Sequence, residues 1–225
     1  MEALRRISEP IAPAQAPNRI PPGHSSTVAR AFSASFAVLT SKRGVDYLEI
    51  GSERGHSMTM VGTLLRAQGR LGQLVSVDPY AAINGPLMLF EMQVQFRADA
   101  ERRFAAANRS LDPTDPHGRL SLSRWLYEAT GLEVELIRAP SHQALVNLNR
   151  TFDLIYVDGW HTELGAWADI VLSLACLRNG GVLIIDDWHL PFMERLTPRL
   201  RALFSPGLFA ETYKTLHVMV SRPLR

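Results

Sequence analysis

The chain has 225 residues, of which 46% are hydrophobic, and 24 basic against 22 acidic side chains give a formal net charge of +2. This length is enough for one well-buried domain and too short for two of ordinary size. No basic run interleaved with aromatic residues stands out, so we expect no nucleic-acid partner. The single cysteine, Cys176, excludes a disulfide framework within the chain. Because it lies in an apolar helical run, we expect it to be a small core residue.

No apolar segment approaches the length of a membrane span, and the N-terminus lacks the basic-then-apolar pattern of a signal peptide. We therefore expect a cytoplasmic protein without a membrane partner. Five prolines within residues 1–24 exclude a helix there. They predict an N-terminal arm, which is either a disordered tail or a segment that packs over the site or over a second subunit of a homo-oligomer.

Residues 25–225 are predicted to form one domain in which strands and helices alternate. Ser25, Ser26 or Thr27 can cap a first helix that ends near Leu39. The pattern then predicts strands at 46–50, 74–77, 134–137, 152–157, 182–185, 208–213 and 216–220, with helices at 58–68, 141–148, 162–177 and 191–204. Such alternation is typical of a doubly wound, Rossmann-like α/β fold with a mostly parallel sheet, here followed by an antiparallel C-terminal hairpin. Ligands bind such sheets at the carboxyl ends of the strands.

The segment 80–131 departs from this regular alternation. It contains a Gly-Pro break and predicts helices at 87–108 and 121–130. We interpret it as a helical insertion beside the site rather than a second domain.

The clearest motif is the stretch DYLEIGSERGHS, in which a short apolar strand runs into a glycine-punctuated turn and a helix. Gly51 and Gly55 let the backbone turn sharply and approach a ligand, and Ser57 is predicted to cap the helix. The Glu49 carboxylate suits a cationic ligand better than a pyrophosphate. These features favour S-adenosylmethionine, whose amino group and sulfonium are positive, and we count Ser52 of the same turn among its binding residues.

An acidic residue follows the second predicted strand, in the pair Asp78-Pro79. An acid at this place, a little over twenty residues beyond a glycine turn, can accept hydrogen bonds from a ribose diol. The alternative is an ordinary loop aspartate, but the company of Glu49 and Gly51 favours the ribose role.

Two later strands also end in acids, Asp158 and the pair Asp186-Asp187. Neighbouring carboxylates repel unless a cation or protons offset them, and oxygen ligands favour Mg²⁺. The alternative is that Asp158 only caps a helix and Asp187 is a solvated loop residue. His161 and His189 follow these acids closely, and either imidazole is suited to take a proton from a hydroxyl nucleophile.

The motifs occur in a fixed order: Glu49-x-Gly51-x-x-x-Gly55-x-Ser57, Asp78, Val157-Asp158-Gly-x-His161, Gly180-Gly181 and Asp186-Asp187. In this order and spacing they resemble class I S-adenosylmethionine-dependent methyltransferases. The most similar members are small metal-dependent O-methyltransferases, of the catechol type and of the cephalosporin-hydroxylase-like and macrolide-sugar-modifying group.

The resemblance implies a seven-stranded sheet whose last strand inserts antiparallel between its neighbours. It also implies that Asp78 holds the ribose and that Pro79 and the segment around Ser141 flank the adenine. By the same match Asp158, Asp186 and Asp187 would ligate Mg²⁺. His161 departs from the family, because it falls where the catechol-type enzymes place a lysine base.

The predicted function is methyl transfer from S-adenosylmethionine to a hydroxyl of a small molecule, such as a secondary metabolite, a sugar or a phenol. Two alternatives remain open. One is a nicotinamide-dependent oxidoreductase, which Glu49 and the absence of Gly-x-Gly-x-x-Gly disfavour. The other is a non-catalytic protein that binds S-adenosylmethionine.

Overall fold

The structure is a computed structural model that describes residues 32–33, 35–39, 42–80, 98, 101–102, 104–106, 110, 112, 114–115, 118–188, 190–203, 209–211 and 216–219. The predicted arm at 1–24, the predicted helix cap at 25–27, His189 and most of the predicted helix at 87–108 lie outside these residues. In the described part of the chain, no helix is long and apolar enough to cross a membrane.

The described chain builds one sheet with helices between its strands. The strands are β1 (Val45–Ile50), β2 (Leu71–Val77), β3 (Val134–Ile137), β4 (Phe152–Val157), β5 (Leu177–Ile185), β6 (Phe209–Glu211) and β7 (Leu216–Met219). The helices are α1 (His56–Ala67), α2 (Arg119–Thr130), α3 (Ser141–Asn147), α4 (Glu163–Cys176) and α5 (Pro191–Leu203). These bounds confirm the predicted alternation of strands and helices.

The strand order across the sheet is β3-β2-β1-β4-β5-β7-β6. The first five strands pair in parallel, whereas β7 runs antiparallel to both β5 and β6. The connectivity reverses direction between β1 and β4, and this switch point is where open α/β sheets bind ligands. The predicted Rossmann-like α/β fold with a parallel sheet is confirmed.

Alternate residues of the central strands enter two cores, one on each face of the sheet. Leu48 and Ile155 belong to one core, and Tyr47 and Leu154 belong to the other. Because side chains alternate across a strand, a strand that is buried on both faces needs apolar residues at nearly every position. All six residues of β4 are buried, as this rule requires.

Strand β5 begins earlier than the sequence pattern predicts. It starts at Leu177, directly after Cys176 ends α4, and it includes the glycine pair that was expected to precede the strand. Gly180 adopts a φ of 76°, and the pairing of β4 with β5 shifts register between Phe152 and Leu154. A left-handed glycine and an irregular register therefore let the chain enter the sheet without a loop. Cys176 is buried, as predicted.

Candidate active site

Four strands end in one row at the carboxyl edge of the sheet. In the parallel register Ile50 pairs with both Val77 and Val157, and Val157 pairs with Ile185. The ladder continues one residue further, with Gly51 N donating to Val77 O at 2.9 Å, Asp158 N to Ile50 O at 2.8 Å and Asp186 N to Val157 O at 2.9 Å. The residues that follow the strands therefore share one edge, and they are Gly51, Asp78, Asp158 and Asp186.

The turn after β1 depends on two glycines with positive φ. Gly51 has a φ of 84°, and a Cβ there would lie 1.9 Å from the carbonyl oxygen of Asp158. Gly55 has a φ of 76°, and its Cβ would lie 2.7 Å from the hydroxyl of Tyr127 on α2. No side chain can be added at either position without moving neighbouring atoms, so the turn packs closely against both the β4 end and α2.

Glu49 lies beneath this turn and is fully buried. The hydroxyl of Tyr47 donates to its Oε2 at 2.6 Å, and the hydroxyl of Ser57 donates to its Oε1 at 2.5 Å. Burial raises the pKa of Glu49 to about 7, although these hydrogen bonds favour the ionised form. The carboxylate thus contacts protein hydroxyls on both oxygens and supports the turn from below.

The prediction that Ser57 caps α1 is wrong. The N-cap residue is Gly55, and no side chain makes a capping hydrogen bond at this end. Ser57 lies inside the first turn of the helix, where its hydroxyl donates to Glu49 instead. The competing hydrogen bond to a buried carboxylate explains the difference.

Asp78 joins the ends of β1 and β2. Its Oδ2 accepts a hydrogen bond from Glu53 N at 2.9 Å, and its Oδ1 accepts one from Tyr80 N at 2.6 Å. Burial raises the pKa of Asp78, against the effect of these hydrogen bonds. Glu53 and Tyr80 both have positive φ, 49° and 47°, so the backbone on either side of this carboxylate is strained. The adjoining Pro79 is exposed.

Ser52 is buried in the same turn and accepts a hydrogen bond from the Ser76 hydroxyl at 2.7 Å. Its side chain therefore belongs to the contact between the turn and β2. The cofactor residues predicted for the turn are brought together with Asp78, as their strand positions require.

Asp158, His161 and Asp187 form a cluster at the same edge. One donor atom from each side chain lies within 4.8 Å of the others, among the residues that the structure describes. The Nε2 of His161 lies 3.6 Å from Asp158 Oδ1 and 3.4 Å from Asp187 Oδ2. The imidazole is 53% exposed, so an incoming molecule can reach it. Asp187 has a φ of 52°, which is uncommon for a residue with a side chain.

The charges in this cluster perturb one another. Loss of solvation raises the pKa of Asp158, and the carboxylates of Asp186 and Asp187 raise it further, whereas the nearby His161 imidazole lowers it. The Asp158 carboxylate in turn raises the pKa of His161. The carboxylates are thus held close together beside the His161 imidazole, which is an arrangement that favours binding of a cation.

Asp186 points to a different partner. It is buried, and its Oδ2 accepts a hydrogen bond from the Tyr156 hydroxyl at 2.6 Å. It is not a member of the three-residue cluster, in which His161 takes the third place. Of the three predicted metal ligands, the structure brings Asp158 and Asp187 together. The other predicted base, His189, lies outside the described residues.

Ser141 begins α3 and is buried, and its hydroxyl donates to Oδ1 of Asp169 on α4. Sequence reasoning missed Asp169, although a lone acid in the apolar helical run AWADIVL was a signal of a buried polar contact. It also missed Tyr47 as the partner of Glu49. Residues two apart on a strand share a face, so this pair was detectable from spacing.

Comparisons with known proteins agree with this architecture. A family model described as "Methyltransferase domain" matches residues 48–188, which is more than half of the chain. A search of curated protein sequences gave no match.

Several solved structures share the fold at low sequence identity. The O-methyltransferase NovP is 17% identical, with a TM-score of 0.59 over 87% of this chain and 80% of that one. Cofactor-bound Rv0187 from MTB is 15% identical, with a TM-score of 0.54 over 98% of this chain and 87% of that one. The O-methyltransferase from Bacillus cereus in complex with SAH is 14% identical, with a TM-score of 0.53 over 98% and 91%. The family match spans the strand ends and the acids that follow them. The chain therefore belongs to the S-adenosylmethionine-dependent methyltransferases.

Proposed function

We propose that this methyltransferase methylates a hydroxyl group of a small molecule, with Mg²⁺ bound beside the acceptor. The observation that carries the proposal is the cluster of Asp158, Asp187 and His161, which lies at the same sheet edge as the glycine turn. Two carboxylates and an imidazole within reach of one position can hold a divalent cation and accept a proton. Both are useful for a hydroxyl nucleophile, which is weak until its proton is removed.

The glycine turn and Asp78 are the proposed cofactor site. Helix α1 has no side-chain hydrogen bond at its N-cap Gly55, and the positive end of the helix dipole would favour the cofactor's carboxylate there. Each oxygen of Asp78 accepts one backbone hydrogen bond and keeps a lone pair for a ribose hydroxyl. Glu49 would attract the cationic end of the cofactor from beneath the turn. Pro79 and Ser141 would flank the adenine, and Ser52 would support the turn.

The donor set of the cluster fits Mg²⁺. Asp158 and Asp187 supply oxygen ligands, and their side chains are 29% and 21% exposed, so a hydrated ion can reach them. Asp186, the third ligand that the resemblance implies, would join through its Oδ1, since its Oδ2 accepts from the Tyr156 hydroxyl. When bound, Mg²⁺ would hold the acceptor hydroxyl and lower its pKa.

Side chains of the protein would remove the acceptor proton and position the reactants. His161 would take the acceptor proton, and its two carboxylate neighbours orient the imidazole and stabilise its charged form. S-adenosylmethionine, when bound, would supply the methyl group from its sulfonium and leave as S-adenosylhomocysteine. The turn packs closely against the end of β4, and this contact would hold the methyl donor and the acceptor at a fixed distance. Such positioning accelerates a displacement reaction.

The proposed acceptor class also draws on the neighbours, since NovP and the Bacillus cereus protein are both described as O-methyltransferases. The family match argues against the alternative of a nicotinamide-dependent oxidoreductase. The remaining alternative, a non-catalytic binding protein, is an outcome of the experiment below.

The proposal is tested by supplying labelled S-adenosylmethionine and a panel of sugars, phenols and N-hydroxy compounds, with and without EDTA. We expect label transfer to an oxygen of at least one acceptor, abolished by EDTA and restored by excess Mg²⁺. Transfer that persists in EDTA would contradict the metal role. Cofactor binding without transfer to any acceptor, with the cluster loaded with Mg²⁺, would favour the non-catalytic alternative.

A further inference from the structure

Asp169 is a buried carboxylate in the middle of α4, with 1% of its surface exposed. Its Oδ1 accepts a hydrogen bond from the Ser141 hydroxyl, and its Oδ2 accepts one from the backbone N–H of Trp160 at 3.1 Å. A buried charge is costly unless its oxygens are hydrogen-bonded, and here both are. Asp169 therefore connects the first residue of α3 with the loop that follows β4.

That loop, residues 158–161, has almost no room to move against α4. A Cβ on Gly159 would lie 2.5 Å from Oδ2 of Asp169, and a Cβ on Gly165 would lie 2.4 Å from the Cβ of Trp160. A side chain at either position would clash, so the loop lies directly against the Asp169 carboxylate and the Trp160 side chain lies directly against α4 at Gly165. The hydrogen bond to Trp160 N then fixes where the loop lies along α4.

The position of this loop decides the geometry of the site. Asp158 and His161 stand at its two ends, one to each side of the residue that Asp169 holds. Ser141 stands at the start of the neighbouring connection, where the cofactor's adenine is proposed to lie. One carboxylate thus touches both the connection proposed to contact the cofactor and the loop proposed to activate the acceptor.

Building on the proposed function, we propose that Asp169 is a positioning residue that fixes the 158–161 loop relative to α3 and so aligns the acceptor site with the cofactor site. Asp169 does not touch the reacting groups. It acts through the Trp160 backbone and the Ser141 hydroxyl.

Two variants separate these two contacts, and a third is a matched control. Asp169→Ala removes both acceptor oxygens. Ser141→Ala removes only the contact with α3. The control is Asp153→Ala, because Asp153 is also fully buried and accepts from Arg178 at 2.6 Å and Asp46 N at 3.1 Å. Asp153 lies near the amino end of β4, away from the site.

The first readout is amide hydrogen exchange at Trp160, which needs no substrate. We expect exchange at this amide to become at least about tenfold faster in Asp169→Ala, as follows from the loss of about 1.4 kcal/mol or more of local protection. In Asp153→Ala the exchange of this amide should stay at the wild-type rate, even though the melting temperature of that variant falls. Unchanged exchange in Asp169→Ala would overturn the proposal.

The second readout is steady-state kinetics, which measures the effects of each variant on kcat and on KM separately. Asp169→Ala should lower kcat by about 10- to 100-fold, since a displacement near 1 Å at a reacting centre has effects of this size. Ser141→Ala releases α3 but keeps the loop bound to Asp169, so it should raise KM for S-adenosylmethionine and lower kcat less than Asp169→Ala does. If Asp169→Ala keeps the kcat of Asp153→Ala, the residue is merely structural and the proposal fails. If the wild-type protein transfers no methyl group, the proposed function fails instead, and the exchange measurement still decides the role of Asp169.

Discussion

Replacing Gly51 by alanine tests whether the β1 turn packs against the end of β4. The added Cβ would lie 1.9 Å from the Asp158 carbonyl oxygen, whereas real Cβ contacts stay beyond 3.0 Å, so the two loops must separate by about 1 Å. The φ of 84° adds strain of about 1–2 kcal/mol for an L residue, and overpacking adds about 1–3 kcal/mol. Together these terms predict a loss of about 2–5 kcal/mol in the free energy of unfolding.

The control is Gly180→Ala. Gly180 has a similar φ of 76°, but among the described residues no atom beyond those of its chain neighbours lies within 4 Å of the position that an added Cβ would take, so only the strain of about 1–2 kcal/mol applies. Urea denaturation of both variants measures the difference, which is the contribution of the close contact. Methyl transfer by Gly51→Ala should also fall by about 100-fold, because donor and acceptor sites move apart. Equal destabilisation of the two variants, with activity retained in Gly51→Ala, would refute the reasoning.

Three further predictions follow from single side chains at the site. Asp78→Ala should weaken S-adenosylmethionine binding by about 10- to 100-fold in calorimetry, and unchanged affinity would contradict the ribose role. His161→Ala should lower kcat by about 10²- to 10⁴-fold and remove the acidic limb of the pH–rate profile, because the imidazole must be neutral to take the acceptor proton. The pKa of Glu49 is raised to about 7, so the folded state binds the proton more tightly than the unfolded state does. The protonated side chain therefore stabilises the folded state below the unfolded pKa of 4.5, and this stabilisation is lost as pH rises through about 7. Between these pH values urea unfolding should show wild type losing up to about 3 kcal/mol relative to Glu49→Gln, and parallel pH curves would contradict it.

Most of the fold could be predicted because the central strands are short, fully buried and apolar. Strand β4 matches its predicted bounds at both ends, since every residue from Phe152 to Val157 is apolar except one aspartate. Strand β5 was less predictable, because its first residues, RNGG, read as a loop in the sequence. Their place in the sheet depends on a glycine with positive φ and on the neighbouring strand.

The candidate site was predictable in its location but not in its contacts. Acids that directly follow parallel strands must share an edge, so Asp78, Asp158 and Asp187 could be grouped from the sequence. Which way each carboxylate points depends on partners distant in the chain. Asp186 faces Tyr156, which is 30 residues away, and no local pattern marks that choice.

The contacts of the glycine turn show the same limit. Serine is a preferred N-cap residue, but the Ser57 hydroxyl donates to the buried Glu49 carboxylate instead of capping the helix. Asp169 contacts two connections at once. Trp160 is 9 residues away in the sequence and Ser141 is 28 residues away. The sequence therefore identifies these side chains, but their hydrogen-bond partners depend on the tertiary structure.

The most direct test of the account is a Mn²⁺ titration followed by electron paramagnetic resonance, because Mn²⁺ takes the place of Mg²⁺ at oxygen-rich sites. In the presence of S-adenosylhomocysteine, wild-type protein should bind one ion, and Asp187→Asn should weaken that binding by at least about tenfold, the size expected for losing a charged ligand. Asp112, which is 30% exposed and pairs with Thr114 and Arg124, provides the control variant Asp112→Asn, which should bind Mn²⁺ as the wild type does. Equal Mn²⁺ affinity in all three proteins would contradict a metal centre at Asp158 and Asp187.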